Sequence, residues 1–321
     1  MTQPTPVEAC PVEDINDPAT WPTGRAVRLE PLVRRVLAPN ASPYTFTGTQ
    51  TYLVGAGRDV AVIDPGPNDA AGAPGRADTR GDGHVEAILA AIGPQRVAAI
   101  MCTHTHRDHS PASRALKAAT GAPIIGCAAL ALDDDGPRAD AAFDRDYVPD
   151  RVLDDGERLS GDGWTIEAVA TPGHTSNHLC LALVETGALF TGDHVMGWST
   201  SVISPPDGDM GAYMASLARL YDRDDRVLYP AHGPQIDNPR QFVRGMIGHR
   251  RQRERQVMTL LDTGSRTIAD FIAAMYKGLD PRLHGAAGRS VLAHLIDLER
   301  QGRAMVRGET WHTLAPRTTD A

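Results

Sequence analysis

The stretch Arg96-Val97-Ala98-Ala99-Ile100-Met101-Cys102-Thr103-His104-Thr105-His106-Arg107-Asp108-His109 decides the fold. Its first half is a short continuous apolar run, which predicts a strand buried on both faces. Its second half turns abruptly polar and presents four imidazole or carboxylate groups within six residues. These are the natural non-thiolate ligands of zinc. His104 and His106 are two apart, so an extended segment turns both to one side. Asp108 and His109 follow where the chain must bend, and can address a second position. Paired metals in such sites sit about 3.5–4 Å apart.

The setting repeats downstream. His174 lies in Thr171-Pro172-Gly173-His174-Thr175, Asp193 in Thr191-Gly192-Asp193-His194, and His232 in Tyr229-Pro230-Ala231-His232-Gly233-Pro234. Each follows a strand-like run and sits beside Gly or Pro. Open α/β sheets place ligand sites at the carboxyl ends of their strands. Four strand ends meeting at one edge would bring all seven side chains together.

The pattern around these motifs predicts strands at Val27–Val36, Thr49–Val54, Asp59–Ile63, Pro123–Gly126, Trp164–Ala170, His178–Val184, Ala188–Phe190 and Arg226–Tyr229. Helical spacing predicts helices at His84–Ile92, Pro111–Thr120 and Met214–Tyr221, and Asn238-Pro239 is a good helix start. Residues 65–83 are a breaker-rich loop and 133–150 an acidic, irregular stretch. Three helices (Arg250–Asp262, Thr267–Tyr276, Ser290–Gln301) and a hairpin at Arg303–Leu314 give the last part a winged-helix outline. The expected organisation is an N-terminal extension at 1–24, a main α/β domain at 25–246 and a winged-helix-like domain at 247–321.

With 31 Gly and 24 Pro in 321 residues and few aromatics, the chain suits a compact α/β protein with tight loops. The net charge of −8 is uneven: 13 Lys/Arg stand against 8 Asp/Glu from Gln241 onward, but 19 against 32 before it. The basic end hints at an anionic partner, or is simply an Arg-bearing helical surface. The four cysteines form no C-x-x-C pair, which excludes a Cys-based zinc knuckle or redox motif. The polar N-terminus and the lack of any membrane-length apolar run predict a cytoplasmic protein with no membrane partner. Gly55-Ala56-Gly57-Arg58 lacks the third Gly and following helix of a dinucleotide loop. Asp133-Asp134-Asp135-Gly136 lacks the first ligand of a calcium loop, at Ala131, and the closing Glu. A G-x-S-x-G elbow is absent.

THTHRDH resembles the HxHxDH signature of the metallo-β-lactamase superfamily, and TPGHT, GD and PAHGP resemble its later motifs in order. The resemblance covers roughly residues 26–240. It implies a four-layer αββα sandwich with metals on one edge. By motif position, His104, His106 and His174 would hold one zinc, Asp108, His109 and His232 the other, and Asp193 would bridge them. The stretches GTQTYLVG, VIDPG, TPGHTSNH, PAHGPQIDNP and HRRQRERQVMTLL are similar to the β-lactamase-like protein 2 family, as is the winged-helix end. Gln50 departs from that family's pattern, where Asn is expected; this bears on the substrate pocket rather than the metals.

Two zinc ions would lower the pKa of a shared water to about 7, and Asp108 would orient that nucleophile and pass its proton. Iron or manganese would also suit His and Asp ligands. Asp64 is either a carboxylate that fixes a ligand histidine's tautomer or a turn-former before Pro65. His178 is a second outer candidate, and His194 has no assigned role. The expected function is hydrolysis of an ester, thioester or lactone-type small molecule. The alternatives are an endoribonuclease acting on single-stranded RNA and a winged-helix nucleic-acid-binding regulator. The winged helix is expected to complete the pocket rim or support a homodimer.

Overall fold

The computed structural model describes residues 21–68, 83–130 and 143–314. Most of the 1–24 extension, Cys10, most of the 65–83 loop, the Ala131–Gly136 segment and part of the acidic stretch lie outside them. The described residues between 26 and 230 form two sheets. The first has seven strands in sequence order: β1 (Ala26–Glu30), β2 (Val33–Leu37), β3 (Gln50–Val54), β4 (Asp59–Ile63), β5 (Arg96–Cys102), β6 (Ile124–Gly126) and β7 (Arg151–Val152). The second has the order β12 (Val227–Pro230), β11 (Ala188–Gly192), β10 (Leu179–Leu183), β9 (Trp164–Ala170) and β8 (Arg158–Gly161). The single strand predicted at Val27–Val36 is two, because the chain reverses between Glu30 and Val33 and β1 pairs antiparallel with β2.

Period-two side-chain alternation builds the layers. In β10, Leu179, Leu181 and Leu183 enter the core between the sheets, with Trp164 and Ile166 of β9 and Phe190 of β11. Cys180 and Ala182 point the other way, onto helix α3 (Met210–Tyr221). Strand β5 is buried on both faces, as its unbroken apolar run requires, because α1 (His84–Ile92) and α2 (Ala112–Thr120) cover the outside of the first sheet. The result is helices, sheet, sheet, helices: the four-layer αββα sandwich.

Helix α4 (Pro239–Asp262) is one continuous rod of 24 residues. The start at Asn238-Pro239 and the charged helix expected from Arg250 are parts of the same element, and residue 246 lies within it. Its Val243 and Met246 pack beneath α3. Its Val257 and Leu261 join a third core with Phe271 of α5 (Ile268–Met275), Val291 and Leu295 of α6 (His284–Arg300), and Trp311. The α5 start is fixed by a capping box between Thr267 and Asp270. Strands β13 (Ala304–Arg307) and β14 (Thr310–Thr313) close the winged helix as an antiparallel hairpin. No helix among the described residues is long and apolar enough to cross a membrane.

Leu181 is fully buried between the sheets. Leu181→Ala is expected to lower the unfolding free energy by about 2–5 kcal/mol. Denaturant titration checks this; a loss under about 1 kcal/mol would contradict the packing.

Candidate metal centre

Five strand ends open onto one edge of the sandwich. Asp64 follows β4, the 104–109 turn follows β5, His174 follows β9, Asp193 follows β11 and His232 follows β12. Backbone hydrogen bonds tie the two sheets together here: Leu179 N–H donates to Thr103 O (2.8 Å), and Gln50 N–H to Ala231 O (2.8 Å). The ligand turns are therefore held by main chain before any side chain is considered.

The side chains form two groups. In the first, His104 Nε2 lies 2.9 Å and His174 Nε2 3.1 Å from His106 Nδ1. Asp193 Oδ2 stands 3.6 Å from His174 Nε2. In the second, His232 Nε2 is 3.1 Å from Asp108 Oδ2, and His109 Nε2 is 3.5 Å from the same oxygen. Asp193 Oδ1 faces this group, 3.2 Å from His232 Nε2 and 3.5 Å from His109 Nε2. The Asp193 carboxylate thus offers one oxygen to each group. All seven sequence-predicted residues meet.

An outer ring of acceptors settles the histidine tautomers. Asp64 Oδ2 accepts from His109 Nδ1 (3.0 Å) and from the Thr103 hydroxyl (2.8 Å), and Asp64 Oδ1 from Thr103 N–H (2.8 Å). With its proton given to Asp64, Thr103 Oγ1 accepts from His104 Nδ1 at 3.0 Å. His174 Nδ1 donates to Val202 O (2.7 Å) and His232 Nδ1 to Gly48 O (3.2 Å). In four imidazoles the Nδ1 proton is therefore spoken for, and the Nε2 lone pair faces the centre. His106 is the exception, turning Nδ1 inward.

Burial first, then neighbouring imidazoles, holds His104 well below the usual histidine range and pushes His106 down to about 3. Both are neutral donors. Burial would lower His109 and His232 too, but the Asp108 and Asp193 carboxylates outweigh it and raise both. Burial would raise Asp108, but His109 and His232 hold it well below the carboxylate range.

This donor set fits a pair of cations. Tetrahedral zinc with bonds of about 2.0–2.1 Å needs donor atoms roughly 3.3 Å apart. The spacings in each group bracket that value, and each group's atoms lie within 4.8 Å of one another. Buried His109 Nε2 and Asp193 Oδ1 have no hydrogen-bond partner among the described residues. In the first group the inward lone pairs of neutral His104 and His106 repel one another, which a cation would relieve; in the second a cation would take the place of the protons that Asp108 and Asp193 draw onto His109 and His232.

Asp64 combines both roles read from the sequence: it sits at a turn, in the left-handed region at φ 47°, and it anchors His109. His178 is buried with its ring 5.1 Å from that of His104, but its Nδ1 contacts Thr171 Oγ1 rather than a candidate ligand. Gln50 is not a pocket residue. It is buried, and its amide donates to Pro230 O and Gly233 O at 3.0 and 2.6 Å, bracing the turn that carries His232. Thr103, Gly48 and Val202 belong to the site without being legible in the sequence. Only Thr103 carries a signal there, a hydroxyl next to the first histidine. Gly192 is required: at φ 48°, a Cβ would lie 2.5 Å from Thr103 Oγ1.

Residues 44–232 match the family model described as "Metallo-beta-lactamase superfamily", and residues 267–311 the "Beta-lactamase associated winged helix domain". The chain belongs to the metallo-beta-lactamase superfamily. Among curated relatives, it is 34% identical over 248 residues to an atrochrysone carboxyl ACP thioesterase of Aspergillus fumigatus, covering 75% of this chain and 70% of that one. It is 29% identical over 294 residues to the beta-lactamase-like protein 2 homolog of Drosophila melanogaster, covering 87% and 91%. A solved metallo-beta-lactamase family protein from Thermus thermophilus superposes with a TM-score of 0.69 at 22% identity, over 89% of this chain and all of that one. A beta-lactamase domain protein from Burkholderia ambifaria gives 0.70 at 19% identity, over 91% and 94%. These two share the fold.

Asp64→Asn keeps a residue that tolerates positive φ but removes the carboxylate that accepts from His109 and Thr103. Metal affinity is expected to fall about 10–100-fold with the circular-dichroism spectrum unchanged. Competition titration against a chromophoric chelator checks it; wild-type affinity would remove Asp64 from the centre.

Proposed function

We propose that the protein is a binuclear zinc hydrolase that cleaves a thioester of a small acyl group. One observation carries this reading: the Asp193 carboxylate is divided between two otherwise complete ligand groups, 3.6 Å from His174 on one side and 3.2 Å from His232 on the other. A carboxylate shared in this way would let the two groups hold a cation each, both serving one water. When bound, such a pair would lower that water's pKa to about 7 and stabilise the oxyanion that develops on the substrate. The thioester choice is supported by relatives named as thioesterases at 34% identity. An ester or lactone asks the same of the site.

The chain's own groups do the rest. His104, His106 and His174 would hold the first cation, and Asp108, His109 and His232 the second. Asp108 is 26% exposed, against 11% for Asp193, so it is the carboxylate open to the substrate side. In this reading it would orient the attacking water and take its proton. The water oxygen bonds to the acyl carbon, the C–S bond breaks, and the thiol leaves with a proton that Asp108 can return.

Mass spectrometry of the purified chain is expected to find two zinc ions per molecule. An acyl thioester should be hydrolysed, with activity lost on chelation and restored by zinc. His106→Ala and His174→Ala each remove a ligand and should lose more than the roughly 100-fold of an outer-shell change. Wild-type rates in both variants after chelation would overturn the mechanism. Cleavage of single-stranded RNA, lost in His106→Ala and with no thioester turnover, would replace the thioester reading with a nuclease.

A further inference from the structure

The loop that follows Asp193 supplies the acceptor for His174, through Val202 O. Its neighbours on either side are gripped from the C-terminal helices. Arg250 of α4 donates from Nη2 to Ser201 O, the carbonyl immediately before Val202. Arg289 of α6 donates to Pro205 O at 3.2 Å, three residues beyond it. The other end of the loop is tied to the same place. Ser201 Oγ donates to His194 O (2.9 Å), and Tyr213 OH donates to that carbonyl at 3.0 Å. Arg250 lies 5.1 Å over the Tyr213 ring. His194 directly follows the bridging Asp193.

Arg250 is an unusual residue to find there. It is 4% exposed, and no carboxylate among the described residues pairs with it. Burying a guanidinium without an opposite charge is a stability cost. Its buried neighbours supply no opposite charge: they are His294 and His194. An apolar side chain would fill the interface between α4 and the loop without this cost. What the guanidinium adds is a rigid set of donors aimed at main-chain carbonyls.

We propose that Arg250 and Arg289 are positioning residues for the metal centre: by clamping residues 201–205 from the winged-helix side, they fix the Val202 carbonyl that orients His174. Through Ser201 and Tyr213, the clamp also steadies the turn that carries Asp193. The C-terminal helices thus act on the ligands of the first cation without touching it. This inference rests on the binuclear reading above.

The test is a zinc titration of the full-length chain against a chromophoric chelator, with cobalt absorption as a second readout of ligand geometry. Arg250→Met keeps the aliphatic bulk and removes the donors. It is expected to weaken one of the two binding events about tenfold, to alter the cobalt d–d bands, and to leave the other event unchanged. Arg250→Lys, which can still donate to a carbonyl, should recover most of that loss. Arg289→Met, at a partly exposed position, should weaken the same event to a smaller extent. If Arg250→Met does not fold, Arg289→Met decides. A folded variant with wild-type affinity for both zinc ions and an unaltered cobalt spectrum shows that the clamp is mere structural glue, and overturns the inference. A wild-type chain that takes up no metal overturns the binuclear centre itself, which is a separate and recognisable failure.

Discussion

Three donors converge on the Asp64 carboxylate, and the centre is ordered outward from that contact. A single side chain sets the tautomers of two histidines, one directly and one through the Thr103 hydroxyl. The same carboxylate receives the Thr103 backbone N–H, so it also fixes where β5 ends and the histidine turn begins. Asp64 adopts a left-handed backbone conformation to do this, which for a non-glycine residue costs about 1–2 kcal/mol. Thr51 Oγ1, donating to Asp64 O at 2.7 Å, helps to hold it there. Strain at one residue is thus offset by the hydrogen bonds that residue organises.

The two ligand groups are unequal. The first is built from three imidazoles and one shared carboxylate oxygen; the second has two imidazoles, the other Asp193 oxygen and Asp108 to itself. The second therefore has the additional carboxylate and is the more open, with Asp108 26% exposed. The first is deeper and depends on the outer acceptors for its geometry, Thr103 for His104 and Val202 for His174.

Much of this is legible in the sequence because ligation writes itself in side chains. Four ligands sit within six residues, and the other three recur in the same strand-end setting, so residue type and spacing point to the cluster. The buried strands β5, β9 and β10 are equally plain from their apolar patterns. What escapes is what main chain does. Val202 and Gly48 act through carbonyl oxygens, and no residue type marks a carbonyl as an acceptor. Gln50 looks like a substituted pocket residue, because its partners, Pro230 and Gly233, lie some 180 positions away. The unity of α4 is hidden by its two faces, since its first half serves one core and its second half another. The β1–β2 reversal does carry a mark, Pro31 directly after Glu30, but the two β-type arms on either side of it read together as one run.

That shared helix has a consequence for the molecule as a whole. Val243 and Met246 belong to the wall of the sandwich, Val257 and Leu261 to the winged helix, and one unbroken hydrogen-bond ladder joins them. Helix α6 repeats the arrangement, with Ala293 in one core and Leu295 in the other. The two lobes are therefore mechanically a single body, and heat should melt them in one calorimetric peak rather than two. Trimming the chain after α3 would not leave a free-standing hydrolase core; it would bare the apolar face of α3 and invite aggregation. In this chain the C-terminal lobe is an outer wall of the domain that carries the metal ligands.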